Sequence, residues 1–147
     1  MQTDRQKEIL QVSMDLISEK GIQGLTIKNI ASKIGTSEPA IYRHYENKIH
    51  ILVSILDYFK EFSRFTICEE KNADINSIDR ITHIFDKHFQ EFSKNPSLVA
   101  VIFSEEIFVN ETILIEKISG IMADNEKAII EIIEQGQRKG EIKTSSP

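Results

Sequence analysis

Apolar residues along this chain recur at three- and four-residue intervals almost from end to end, the spacing that lays one stripe along a helix. The first stripe is Ile9, Leu10, Val12, Leu16 and Ile17. Thr3 with Gln6 reads as a capping box ahead of it, and Gly21 as its stop. Ile22 and Leu25 then pack the linker down. Ile27, Ile30, Ala31 and Ile34 form a second, short stripe. Thr26 is its N-cap, and Gly35 closes it where a positive φ is cheap only for glycine. Thr36 or Ser37 caps a third helix with Pro39 in its first turn, where a missing N–H does no harm. Asn47 caps yet another helix, so the third is only about two turns long. Two helices this short, joined by a turn containing Gly, are the helix-turn-helix signature.

From Asn47 a longer stripe runs through Ile51, Leu52, Ile55, Leu56, Phe59 and Phe62 to Phe65. It exceeds what a small three-helix unit needs and reads as a rod into a second domain. The polar stretch between Cys68 and Asn76 reads as a loop. A helix with Ile78, Ile81, Ile84, Phe85, Phe89 and Phe92 should end before Asn95-Pro96. Another from Ser97 carries Leu98, Val99, Val101, Ile102 and Phe103 and is apolar nearly all round, which implies burial. A last pattern from Glu111 to Lys139 turns Ile113, Ile118, Ile121, Met122, Ile129, Ile132 and Ile133 inward, with Gly120 as a point of kinking. Gly140 ends it, and K-T-S-S-P trails as a tail. No strand-period alternation or repeat interrupts this. The fold class is all-α: a three-helix unit over residues 1–48, then a bundle of about four more helices over 49–147.

The third helix has an unusual surface. Ala40 and Ile41 can face the second helix, and Tyr45 plugs the core beside Ile41. That leaves Ser37, Glu38, Tyr42, Arg43 and His44 outward, every one able to donate or accept a hydrogen bond. Arg43 can bridge two acceptors on a guanine edge, and the Tyr42 phenol can reach a phosphate oxygen. Lys48 sits at a helix N-terminus, where charge and free N–H groups converge on an anion.

Charge qualifies this picture without reversing it. The chain carries a net charge of −5. Through Lys60, however, there are eight Lys and Arg against seven Asp and Glu, and from Glu61 onward ten against sixteen. The acidity belongs to the second part, while Lys28, Lys33, Arg43 and Lys48 cluster in the first; a local basic patch decides docking. The lone Cys68 has no partner for an internal disulfide, and no apolar run approaches the ~18 residues needed to cross a bilayer. With no leader before Gln2, a cytoplasmic protein is expected.

Over residues 21–48 the run G-x-x-x-x-T-I-x-x-I-A-x-x-I-G-T-S-x-x-A-I-Y-R-H-Y-x-N-K resembles the DNA-binding signature of the TetR/AcrR family of transcriptional regulators. The resemblance implies that Thr26, Thr36, Ser37, Tyr42 and Lys48 hold phosphates. It places Lys28, Glu38, Pro39, Arg43 and His44 along the major groove; Pro39 stands where the family usually has glycine or another small residue. It further implies a homodimer on a near-palindromic operator, released by a small-molecule effector held in the second domain. The family dimerises typically through its last two helices, and this chain ends about where they would start.

For the effector, Phe85, Phe89, Phe92, Phe103 and Phe108 could line a cavity or could be ordinary core. His83, His88, Glu105 and Glu106 are the polar groups nearby. His83 and His88 are five apart on diverging helix faces, which argues against a shared metal, and no cofactor is expected. An enzyme would need converging acid, base or nucleophile residues; H-E-x-x-H, G-x-S-x-G and a glycine-rich phosphate loop are all missing. The rival reading is a helical protein-interaction module using Tyr42 and Tyr45 as anchors.

Overall fold

The computed structural model describes residues 2–109 and 111–144. Eight α-helices and one 3₁₀ turn make it up, with no strand among the described residues. Helix α1 (Asp4–Lys20) opens on the expected capping box: Thr3 Oγ1 accepts from the Gln6 N–H at 3.2 Å and Gln6 Oε1 from the Thr3 N–H at 2.9 Å. A 3₁₀ turn (Ile22–Gly24) leads to α2 (Ile27–Ile34) and α3 (Glu38–Tyr42). These three helices close over Ile9, Leu16, Ile17, Leu25, Ile30 and Ile41, all buried.

Helix α4 (Lys48–Asn72) starts at the Asn47 cap, whose Oδ1 accepts from the His50 N–H at 3.0 Å. It runs seven residues past Phe65, where the hydrophobic stripe implied its end. The expected loop therefore shrinks to the few residues after Asn72. The polar run E-E-K-N is helical because its charges are used between helices. Glu70 is buried and meets Lys87 at 2.8 Å, and Lys71 meets Glu131 at 2.5 Å.

The bundle is completed by α5 (Ser77–Lys94), α6 (Pro96–Ile102), the one-turn α7 (Glu105–Phe108) and α8 (Thr112–Arg138). The α7 turn was not legible in the hydrophobic pattern. Helix α8 packs on α4 and α5, and α6 reaches back to α1. One apolar core thus runs from Ile9 and Ile41 of the head through Ile51 and Ile55 of α4 to Leu98, Val101 and Ile121 of the bundle. The expected division after residue 48 falls at the first turn of α4, a single continuous helix.

Helix α8 runs unbroken through Gly120. Ile121 and Ile132 face inward as expected, and Leu114 joins them, but Ile113 and Met122 are exposed on its flanks. Its C-terminal turn touches the start of α5 so closely that a Cβ on Gly136 would lie 2.7 Å from Ser77 Cβ. Beyond Gly140 the chain folds back: the Glu141 carboxylate accepts the Ser77 N–H at 2.8 Å and so caps α5. The last three residues of the expected tail lie outside the described residues.

Candidate nucleic-acid interface and effector domain

The recognition element is built by its caps. Thr26 Oγ1 accepts from the Asn29 N–H at 3.0 Å and starts α2. Gly35 ends it in the left-handed region at φ 80°, letting the Gly35 and Thr36 N–H groups both donate to the Ala31 carbonyl at 2.9 Å. Ser37 Oγ then accepts from the Ala40 N–H at 3.4 Å, with Pro39 in the first turn of α3. The turn direction is thereby fixed before any side chain of α3 is placed.

On α3 and the turn after it, Ile41 and Tyr45 point into the core, while Tyr42 is 51% exposed. Thr26, Lys28, Ser37, Glu38, Pro39, Arg43 and Lys48 are exposed as well; Thr36 and His44 are half-buried. Among the described residues Lys28, Arg43 and Lys48 form no ion pair, whereas Lys33, counted with them from sequence, is tied to Glu19 at 2.6 Å. Among the described residues three cations and the Tyr42 phenol are thus exposed on the head outside any ion pair, and Glu38 is the carboxylate exposed on α3. Lys48 shares a small cleft with Glu106 and Glu111, so it is the least isolated of the three. Gln6, read from sequence only as the capping-box partner of Thr3, also reaches from α1 to the His44 carbonyl at 3.5 Å and tethers the end of α3.

The aromatic residues named for an effector are not gathered into one site: Phe103 and Phe108 line an open depression after α6, and Phe92 packs near His88. Phe85, Phe89 and Phe103 are exposed by 63%, 72% and 67%, so they line no enclosed cavity. Phe85 and Phe89 lie four apart on a flank of α5 turned away from α4, and Phe103 follows the last turn of α6. Phe92 and His88 do face inward: the His88 ring stands edge-on to Phe59 and Phe62, with centroids 6.1 and 5.2 Å away. His88 Nε2 lies 2.8 Å from Ser63 Oγ, which bonds Asn125 Oδ1 at 3.0 Å, so one polar chain links α5, α4 and α8. His83 instead meets Glu70 at 3.2 Å. The Lys87 hydrogen bond, and less strongly the one from His83, holds the Glu70 carboxyl below the usual carboxylate range against the opposing effect of burial.

A groove of about 330 Å³ opens between α4 and α8, lined in part by Lys60, Arg64, Ile67, Ile121 and Asn125. The hydrophobic stripe of α4 stops at Phe65 and does not announce it, since Ile67 and Lys71 lie on the last turns of the helix. The usable signal was the spacing of Lys60, Arg64, Ile67 and Lys71, which lay on one helical face.

A helix-turn-helix head continuous with a helical bundle defines a class of regulatory protein, and comparison with known proteins agrees. The model of bacterial regulatory proteins of the tetR family matches residues 9–55, and that of the YsiA-like protein C-terminal region matches residues 59–147. The chain belongs to the TetR family. It is 26% identical over 109 residues to the nucleoid occlusion factor SlmA of Mannheimia succiniciproducens, covering 74% of this chain and 50% of that one. Over 124 residues it is 26% identical to the HTH-type transcriptional repressor KstR of Mycobacterium tuberculosis, covering 80% and 56%. The regulator FadR of Bacillus subtilis, solved with stearoyl-CoA, superposes with a TM-score of 0.75 at 22% identity, covering 96% of this chain and 75% of that one. The chain thus spans about half the length of the curated relatives SlmA and KstR. The family model describes regulatory proteins, KstR is named a transcriptional repressor and FadR a transcriptional regulator; among the described residues no helix is long and apolar enough to cross a membrane.

Proposed function

We infer that this protein is a DNA-binding transcriptional regulator, a repressor that sits on a near-palindromic operator as a homodimer and leaves it when a small molecule enters the bundle. The observation that carries the reading is the outward face of α3: Tyr42 and Arg43 stand exposed directly over the buried pair Ile41 and Tyr45. A helix so short and so firmly seated presents its polar side as a rigid edge, the form that enters a major groove. Arg43, Glu38 and His44 then meet base edges beside Lys28 and Pro39. Thr26, Thr36, Ser37, Tyr42 and Lys48 hold phosphates on either side.

Control follows from α4, one helix shared by head and bundle. Two heads in a dimer must lie about 34–36 Å apart, or a multiple, to read successive turns of one duplex face. An effector shifts that spacing only if it binds one arrangement better than the other. The ligand bound in FadR and the groove beside α4 both favour small-molecule control. A cytoplasmic location fits a protein that reads DNA.

Footprinting on the DNA upstream of the protein's own gene tests the reading. Protection of two half-sites related by a two-fold axis is expected. Protein that protects no DNA, yet retains its helical circular dichroism, would support the interaction-module alternative.

A further inference from the structure

The groove between α4 and α8 has an apolar floor of Ile67, Ile121 and Ala128. Its rim carries Lys60, Arg64 and Lys71 against a single acid, Asp124. Such a rim is unexpected in a segment that is acidic overall. Arg64 leans on Glu61 at 2.7 Å and Lys71 on Glu131 at 2.5 Å, while Lys60 has no ion pair among the described residues.

Asn125 lines the same groove and connects it to the interior. Ser63 Oγ lies 3.0 Å from Asn125 Oδ1 and 2.8 Å from His88 Nε2, and His88 Nδ1 lies 2.7 Å from the Ile84 carbonyl. A carbonyl only accepts, so Nδ1 carries a hydrogen. If Ser63 donates to Asn125 Oδ1, its oxygen can meet Nε2 only as an acceptor. Both ring nitrogens then donate, His88 is an imidazolium, and the Asn125 NH₂ faces the groove. If His88 is neutral, Ser63 must donate to Nε2. The Asn125 amide then turns over and shows its carbonyl to the groove. The two amide ends have the same shape, so the same space accommodates either arrangement.

We propose that this groove binds a small organic acid with an apolar body, its acid group held by Lys60 and the Asn125 NH₂, and that binding draws a proton onto His88. This rests on the reading of the bundle as an effector domain. An anion selects the state in which Asn125 donates outward, and the Ser63 hydroxyl passes that choice to His88. Several other ionisable groups on the surrounding helices are engaged elsewhere. On α5, Glu91 accepts from Tyr58 and Asn95, and Lys87 and His83 meet Glu70 of α4. On α8, Lys117 pairs with Asp57 and Asp124 stands at the groove. Helix α6 has no ionisable residue.

Isothermal titration calorimetry of the full chain with decanoate and with 1-decanol, in phosphate and in Tris at one pH, tests this without DNA. Decanoate should bind at least tenfold more tightly than 1-decanol. Its heat should differ between the buffers in the sense of proton uptake. Lys60→Glu and Asn125→Asp should each weaken decanoate at least tenfold and leave 1-decanol unchanged, and His88→Gln should abolish the buffer dependence. Equal binding of the two probes, binding of neither, or proton uptake that survives in His88→Gln would overturn the proposal. Lys60→Glu and Asn125→Asp alter groove-lining positions, so they remain informative if His88→Gln does not fold. Decanoate that binds in this way but leaves DNA affinity unchanged supports the groove and counts against the effector reading instead.

Discussion

Tyr42 and Tyr45 are three residues apart yet belong to different phases of the protein: Tyr42 is 51% exposed and Tyr45 only 6%. The Tyr45 hydroxyl is buried with no hydrogen-bond partner. An unpaired buried hydroxyl costs stability, so Tyr45→Phe should be neutral or stabilising by about 1 kcal/mol. Tyr42→Phe should leave the unfolding midpoint within about 0.5 kcal/mol of wild type and weaken DNA binding. Urea unfolding together with a binding titration separates the two; a loss of stability in Tyr45→Phe would show that its hydroxyl is satisfied after all.

Arg43 and Lys48 should also separate. In the proposed docking Arg43 meets a base edge, and its replacement by Ala should relax preference at one operator position by about 1–3 kcal/mol. Lys48→Ala should weaken specific and random duplex alike. Binding to a panel of single-base operator variants gives both answers. Equal losses across the panel for Arg43→Ala would remove its reading role.

The close approach of α5 and α8 makes Gly136 a sensitive position. Any Cβ there meets Ser77 Cβ at 2.7 Å and Ile142 Cδ1 at 2.8 Å. Gly136→Ala should destabilise by about 1–3 kcal/mol as the two helices are forced apart. Ser77→Gly in the same chain should recover part of it, since one of the two obstructing side chains is then gone. Thermal melts of the single and double variants measure this, and additivity would argue against direct coupling.

The Glu70 cluster predicts an acid limb. Its carboxyl is held below the ordinary range chiefly by Lys87 and then by His83, with burial opposing. A depressed folded-state value means the stabilisation is present above the unfolded carboxylate pKa and is lost as pH falls through the folded one. Stability should therefore fall between about pH 5 and the folded value of Glu70, and Glu70→Gln should flatten that fall. Unfolding midpoints measured from pH 7 down to pH 3 test it; an unchanged slope in Glu70→Gln would place the acid sensitivity elsewhere.

The caps made the head readable from sequence. Thr3 with Gln6, Thr26, Gly35, Ser37 and Asn47 each fix a helix end through a contact of at most six residues' span, and each does what its type implies. The bundle was less legible because its decisive contacts are distant in sequence. Lys71 and Glu131 make a polar run helical from sixty residues away, and nothing local to either announces it. Phe85 and Phe89 misled for the converse reason. Aromatic residues at helical spacing suggest an inner face, but α5 has only one side against α4 and α8, and these two residues lie beyond it. Of the groove, only the cation spacing along α4 was visible in advance.

In the proposed function the exposed face of α3 and the start of α4 meet a duplex, with Lys48 on a phosphate. Fluorescence anisotropy with the operator duplex at 50 and 200 mM salt tests it, comparing wild type with the Lys48→Ala variant. Affinity should fall steeply with salt, and the log–log slope should become shallower by about 0.9 for each phosphate contact removed. A wild-type affinity indifferent to salt, or a slope identical in Lys48→Ala, would contradict the account.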